Sequence, residues 1–268
     1  MADKGTAALH AAGVYRRSIG AYLRSIGEYP ADFWVMTVSG TFWQSMLFAF
    51  LSILFANVQA IAGWDYHEML VLAGFLATSW SATSLLWDGI WDTGKMVVEG
   101  DMDYRITRPA PVLVQVGSKH VGMQVFGEVT MGLVMLVIGW TGAGLGLAAI
   151  PVGLFLLACA IVIQASLLTI ANAVNFWMKG RTPVIAFALT ELQNEALRFP
   201  LTIFPAAVRL ALTFGLPLAF ASFIPAQILT GRLSEWWLLT APIAAAATVA
   251  IAIGTFRAGL KAYDSAGH

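Results

Sequence analysis

Six continuous apolar stretches, at about 33–57, 68–91, 118–140, 150–176, 203–223 and 235–256, dominate this chain of 268 residues. The hydrocarbon core of a bilayer is about 30 Å thick, and a helix needs about 20 apolar residues to cross it. Each stretch meets that length. Charged residues make up only 11% of the chain and hydrophobic residues 59%, whereas a soluble domain carries roughly 25% charge. So few charges cannot cover a surface that faces water, so lipid is the solvent for much of the fold. A transmembrane barrel is built from alternating segments of about 10 residues, and these runs are continuous and far longer. The sequence therefore predicts an all-α integral membrane protein of six transmembrane helices. The polar segment before the first run has no short apolar core with a small-residue cleavage site, which argues against a cleaved secretory signal.

Positive charge sets the orientation, because Lys and Arg near span ends stay in the cytoplasm. Thirteen of the fifteen fall in the segments before span one, between spans two and three, between spans four and five, and after span six. The opposite loops, at about 58–67, 141–149 and 224–234, hold only Arg232, and Arg209 lies inside span five. Both termini are expected in the cytoplasm. Residues 1–32 then form a cytoplasmic N-terminal segment, 33–256 the membrane domain, and 257–268 a cytoplasmic tail.

Two segments outside the spans have a pattern of their own. Within 8–28, a helical period puts Ala11, Tyr15, Ile19, Tyr22 and Ile26 within an arc of about 80°, with Arg16, Arg17 and Arg24 roughly opposite. Such a helix suits the headgroup layer, where anionic lipid attracts the arginines; docking on protein is the other reading. Within 181–200 an apolar start gives way to Glu191, Gln193, Asn194, Glu195 and Arg198. That segment reads as a helix at the cytoplasmic interface or packed inside protein, or as part of a long, interrupted fifth span, with Pro200 and Pro205 breaking the backbone.

Little in the chain suggests chemistry of its own. Gly89-Ile-Trp-Asp-Thr-Gly94-Lys95-Met96 matches G-x-x-x-x-G-K, but Met96 stands where a phosphate-binding loop needs Ser or Thr, and an apolar helix precedes it where a strand should. The chain is not expected to hydrolyse ATP alone. No catalytic constellation appears, and the four histidines, at 10, 67, 120 and 268, are scattered. Cys159 is the only cysteine and reads as a small packing residue. No metal site is expected: Asp88 and Asp92, one turn apart, have no histidine at ligand spacing and call for a partner such as Lys95. There is no basic groove with interleaved aromatics for nucleic acid. The ionisable candidates inside spans are Glu128, read as midway along span three, and Arg209; pairing would lower the cost of burying both.

The loop at about 93–112 is the most distinctive polar segment, running Glu99-Gly100-Asp101-Met102-Asp103-Tyr104-Arg105-Ile106-Thr107-Arg108-Pro109. It suits protein docking, with charged pairs setting register and Met102, Tyr104 and Ile106 giving apolar contact; an ordinary solvated loop is the alternative. Gly100-Asp101-Met102-Asp103 followed by Thr107-Arg108-Pro109 resembles the pattern of type-2 ABC exporter permeases. So do Arg198-Phe199-Pro200 with Ile203-Phe204-Pro205, and Pro217-Leu218-Ala219-Phe220 with Pro225-Ala226 and Leu229-Thr230-Gly231. The resemblance covers nearly the whole chain.

The resemblance implies a multi-pass permease subunit in the cell (inner, cytoplasmic) membrane. It would dimerise with an identical or sister chain and recruit separate ABC ATPase subunits, which bind the ATP and Mg. It would itself carry no cofactor. The docking site falls on Gly100, Asp101, Asp103, Tyr104, Arg105, Arg108 and Pro109; Arg105 departs from the family pattern, in which an apolar residue is frequent there. The helix bearing Arg16, Arg17 and Arg24 would lie along the lipid surface. Two rivals stay open: a secondary transporter driven by an ion gradient, for which Glu128 and Arg209 are the only material, and a non-transporting membrane scaffold.

Overall fold

The computed structural model describes residues 4–264, and side chains from residue 9 onward except that of Ser25. The first three residues of the N-terminal segment and the last four of the C-terminal tail lie outside the described residues. The helices are α1 (Lys4–Ile26), α2 (Pro30–Asn57), α3 (Tyr66–Trp87), α4 (Thr93–Glu99), α5 (Asp101–Ile106), α6 (Val112–Gly117) and α7 (Val125–Gly142). There follow α8 (Ile150–Ala173), α9 (Asn175–Met178), α10 (Val184–Ala196), α11 (Ala206–Leu210), α12 (Phe223–Leu229) and α13 (Thr240–Ala262). Counting the short helical turns that extend them, five helices are long and apolar enough to cross a membrane, those containing α2, α3, α7, α8 and α13. The chain is a multi-pass membrane protein.

Helix α3 is the axis of the bundle, buried from Met69 to Ser79 without a break. Its start is fixed by a capping box: Asp65 Oδ1 accepts from the Glu68 amide at 2.9 Å and Glu68 Oε2 from the Asp65 amide at 3.0 Å. Glu68 in its first turn and Asp88 just past its last residue name the two ends of the bundle, the Glu68 end and the Asp88 end. Helix α7 runs antiparallel against it through small residues. A Cβ at Gly74 would meet the Leu136 amide nitrogen at 2.7 Å, and one at Gly139 the Val71 amide nitrogen at 2.6 Å. Close backbone approach through glycine is how membrane helices gain packing where lipid removes the hydrophobic drive. Helix α8 runs parallel to α3, tied by Trp87 Nε1 donating to Thr169 Oγ1 at 3.0 Å. At the Asp88 end, Tyr15 Oη on α1 donates to the Leu86 carbonyl at 2.8 Å, and α13 finishes there, with Phe256 5.3 Å from Phe176 beyond α8. The described chain therefore begins and finishes at one end of the bundle.

The stretch at 203–223 departs from the expectation of a spanning helix. Here the chain breaks into a 3-10 turn at Leu201–Ile203, α11, a π turn at Ala211–Gly215 and a 3-10 turn at Pro217–Ala221. Pro200, Pro205 and Pro217 lack the amide a continuous helix needs. Broken backbone at such depth is tolerated inside protein or along a water-filled cavity; Leu218 to Ala226 is buried throughout, whereas Pro205 to Val208 and Phe214 to Leu216 are exposed on this chain. The passage between the two ends instead starts earlier. Arg181 Nη2 meets Glu99 Oε1 at 2.6 Å at the Asp88 end. Higher up, Gln193 Nε2 donates to Gln164 Oε1 at 3.0 Å, well inside α8, and the Phe199 ring lies 6.4 Å from Phe50, toward the far end of α2. The passage ends at Arg232, whose Nε donates to Glu68 Oε1 at 3.0 Å. Arg198 consequently sits partway up the bundle, apart from the positive charges with which the sequence groups it. Span three likewise starts later than expected: 118–124 forms no regular helix ahead of α7.

Candidate functional site

At the Asp88 end, α4, α5 and α6 fold into a compact unit over a small apolar core of its own. Ile90, Met96, Val97, Met102 and Val116 pack there with Leu168, Phe176 and Phe256 from α8, the segment beyond it and α13. Gly100 joins α4 to α5 with φ +78°, a left-handed conformation that glycine adopts without steric cost. Asp101 and Asp103 occupy the first turn of α5, and Arg105 the last; both choices suit the helix dipole.

The outward face of α5 is narrower than the sequence suggests. Met102 is fully buried and anchors the helix, whereas Tyr104 (62% exposed) and Ile106 (47%) face out. The Arg108 guanidinium lies 4.0 Å from the Tyr104 ring centre and also donates to its hydroxyl, a cation–π contact that fixes both side chains. Arg105 turns inward: its Nη1 donates to the Gln115 carbonyl at 2.9 Å, while Gln115 Nε2 donates to the Arg105 carbonyl at 3.0 Å and to the Ala110 carbonyl at 2.8 Å. Burial pushes the Arg105 pKa below its ordinary value, opposed by nearby Asp101, and the guanidinium stays charged. The residue that departs from the family pattern thus braces the loop from within. Asp101 is exposed and Pro109 lies in the turn before α6, so the outward surface comprises Asp101, Tyr104, Ile106 and Arg108.

Below this unit sits an ionic cluster with partners that the sequence does not indicate. Asp92 pairs with Lys119 Nζ at 2.7 Å, and His120 spans both acids, Nε2 to Asp88 at 3.2 Å and Nδ1 to Asp92 at 3.7 Å. Lys95, the expected partner, instead lies 4.0 Å from Glu99. Among the described residues no group of three or more His, Cys, Asp and Glu is arranged to hold a metal. The N-terminal helix α1 rests on this cluster. Tyr15 stacks 6.3 Å from Trp87 and Tyr22 6.4 Å from His120, and burial together with Asp88 raises the Tyr22 pKa. The apolar stripe of α1 thus packs on protein, while Arg16, Arg17 and Arg24 are exposed on its other side.

The remaining sequence candidates fall elsewhere. Gly94 of the phosphate-loop look-alike is buried, and a Cβ there would meet the Gly180 carbonyl oxygen at 2.6 Å; that glycine serves packing. Glu128 lies in the first turn of α7, where Ser81 Oγ donates to its Oε2 at 3.3 Å. No ion pair joins it to Arg209, which stands in the last turn of α11. A feature the sequence obscures is the exposed face of α10. Glu191, Asn194 and Glu195 on α10, and Arg198 just beyond its end, are all exposed, Arg198 pairing with Glu195 at 3.3 Å, yet they flank Gln193, which bonds to the interior of α8.

The protein-family model described as ABC-2 family transporter protein matches residues 41–267. No curated protein and no solved structure matches the chain. With helices long enough to span and a family match running from α2 to the C-terminal tail, the chain belongs to the ABC-2 transporter family as a membrane permease.

Proposed function

We propose that this chain is the permease subunit of an ATP-driven export complex in the cytoplasmic membrane, paired with a second permease chain and driven by separate ABC ATPases. The family supports the permease reading, and ATPases are the general partners of such permeases. The unit α4–α6 is the proposed handle. It is rigid, being seated by Met102 and clasped by Arg105 and Gln115, and it presents Asp101, Tyr104, Ile106 and Arg108. A rigid handle transmits motion; a solvated loop would absorb it. ATP shifts the permease between inward and outward states only if the ATPases contact the two states differently.

The observation that carries the pathway reading is the exposed polar face of α10. A charge at the bilayer centre costs at least about 2.5 kcal/mol on insertion scales. Glu191, Asn194, Glu195 and Arg198 sit partway up the bundle beside Gln193 and are turned outward from this chain. Lipid is a poor neighbour for them. A water-filled path between two permease chains suits them, and substrate would pass along it.

The handle is tested by reversing charge in the first turn of α5, at outward-facing Asp101 and its half-buried neighbour Asp103 together, with Asp101→Arg and Asp103→Arg in the complex purified from native membranes. The expected result is a permease that inserts normally but loses either its co-purifying ATPase or its effect on ATP hydrolysis. Asp101→Asn with Asp103→Asn, which removes charge without reversing it, should give a smaller loss. Normal ATPase recruitment and normal stimulated hydrolysis by the double reversal would overturn the docking assignment.

A further inference from the structure

Helices α7 and α8 follow one another in the chain and are joined by only a short connection, yet the backbone of each packs mainly on α3; between them Trp140 of α7 reaches across to Gly153 of α8, where a Cβ would meet its ring at 2.8 Å. The gap they leave is a cavity of about 300 Å³, floored by Phe75 and walled by Trp140, Gly153, Leu154 and Leu157. Its walls are apolar throughout; Thr141 also lines it, but its hydroxyl already donates to the Val137 carbonyl at 2.9 Å. The rim residues Val137 (60% exposed) and Leu154 (62%) face away from the bundle, on two helices that qualify as membrane spans. The cavity thus opens sideways toward lipid, near the Glu68 end, with Trp140 at the depth where aromatic side chains meet the headgroup boundary.

We propose that this cavity binds one acyl chain of a phospholipid from the leaflet at the Glu68 end, held as a retained lipid that completes the packing between α7 and α8. The polar side-chain groups of its lining residues are the Thr141 hydroxyl, already bonded, and Trp140 Nε1, which is buried without a partner among the described residues and does not face the cavity, so a polar solute meets no polar surface in it. An open cavity of about 300 Å³ admits single side chains of a second copy, a case the dimer readout separates, but a whole helix, about 10–12 Å broad, does not fit. A single alkyl chain does, and bilayer lipid supplies it at the mouth. The volume stands at the small end of the roughly 300–1,000 Å³ range of ligand pockets. The inference is independent of the transport reading.

The test counts phospholipid phosphorus per mole of chain after purification in mild detergent. Val137→Trp fills the cavity from its rim, and Val134→Trp places the same bulk one turn away on α7, at an exposed position that does not line it. The expected result is about one phospholipid fewer per chain in Val137→Trp than in the unmodified protein, with Val134→Trp unchanged. Equal lipid in all three overturns the proposal. So does a Val137→Trp protein that keeps its lipid but loses its dimer, which would assign the cavity to a second copy. A readout that needs no filled variant uses vesicles of phosphatidylcholine brominated along its chains. The fluorescence lost on Trp140→Phe should be strongly quenched by the bromines, and should recover slowly when unbrominated vesicles are added. Absence of quenching, or recovery as fast as that of the other tryptophans, overturns it equally.

Discussion

Arg232 is the only Lys or Arg in the loops at the Glu68 end, and the structure uses it fully. Its guanidinium donates to both Glu68 oxygens and, at 2.7 Å, to the Gly63 carbonyl, and it stacks 4.8 Å from the Trp64 ring centre. One side chain thereby pins the turn before α3 to the end of the interrupted passage. Charge-assisted hydrogen bonds contribute about 1.5–3 kcal/mol each before losses elsewhere, and Glu68 is largely buried on its own side. Arg232→Ala should therefore lower stability by about 1–3 kcal/mol, read as a fall in Tm in detergent. Arg232→Lys should recover only part of it, because an ammonium cannot hold the carboxylate bidentately. The identity of this clamp was not legible in sequence. Arg232 stands 164 residues from Glu68, and its isolation in a loop shows a missing charge on that side without naming the carboxylate it meets. His120 is the same case: scattered in sequence, it bridges Asp88 and Asp92 in space.

At the scale of elements, glycine spacing governs how α3 meets α7. Gly132, Gly139 and Gly142 are at intervals that keep one face of α7 bare, and α3 comes close enough that a Cβ at Gly139 would meet backbone of Val71 and His67. Gly139→Ala has no flexible neighbour to displace, so overpacking should cost about 1–3 kcal/mol. Gly146→Ala, where a Cβ meets nothing within 4 Å, should leave the thermal transition unchanged; equal effects at the two sites would refute the close-packing account. Long apolar runs were sufficient to locate α2, α3, α7, α8 and α13, because length and composition alone decide whether a helix can span. They misplace the remaining passage. Residues 203–223 are as apolar as a span, but prolines partition them into short turns, while the passage starts along α10, whose charges leave its sequence open between an interfacial helix, one packed inside protein and part of an interrupted fifth span. Hydropathy averages what backbone breaks and helix faces separate. In the unit α4–α6, the acidic first turn and Gly100 were readable as local signals; the inward turn of Arg105 was not, since it depends on Gln115 folding back from α6.

For the molecule as a whole, the decisive question is what α10 faces. Along this helix Ala186, Gln193 and Ala196 are buried, whereas Val184, Ile185 and Phe187 are exposed near its start and Glu191, Asn194 and Glu195 further up. A helix wholly against lipid would be apolar along its outward side. Here the polarity rises toward the middle of the bundle, the arrangement expected where water enters between two subunits. Thiol labelling separates the readings directly. Cys159 is buried and Cys159→Ser removes it as a background. In that protein, Glu191→Cys, Asn194→Cys and Glu195→Cys should react with a charged, membrane-impermeant methanethiosulfonate, and Phe187→Cys, whose native ring packs 5.1 Å from Trp91, should react at least tenfold more slowly. Modification at the polar positions should also protect against later labelling by a bulkier reagent of the same charge. If those three resist the charged reagent but react with a small, lipid-soluble maleimide, the face lies in hydrocarbon, and the proposed aqueous path does not run along α10.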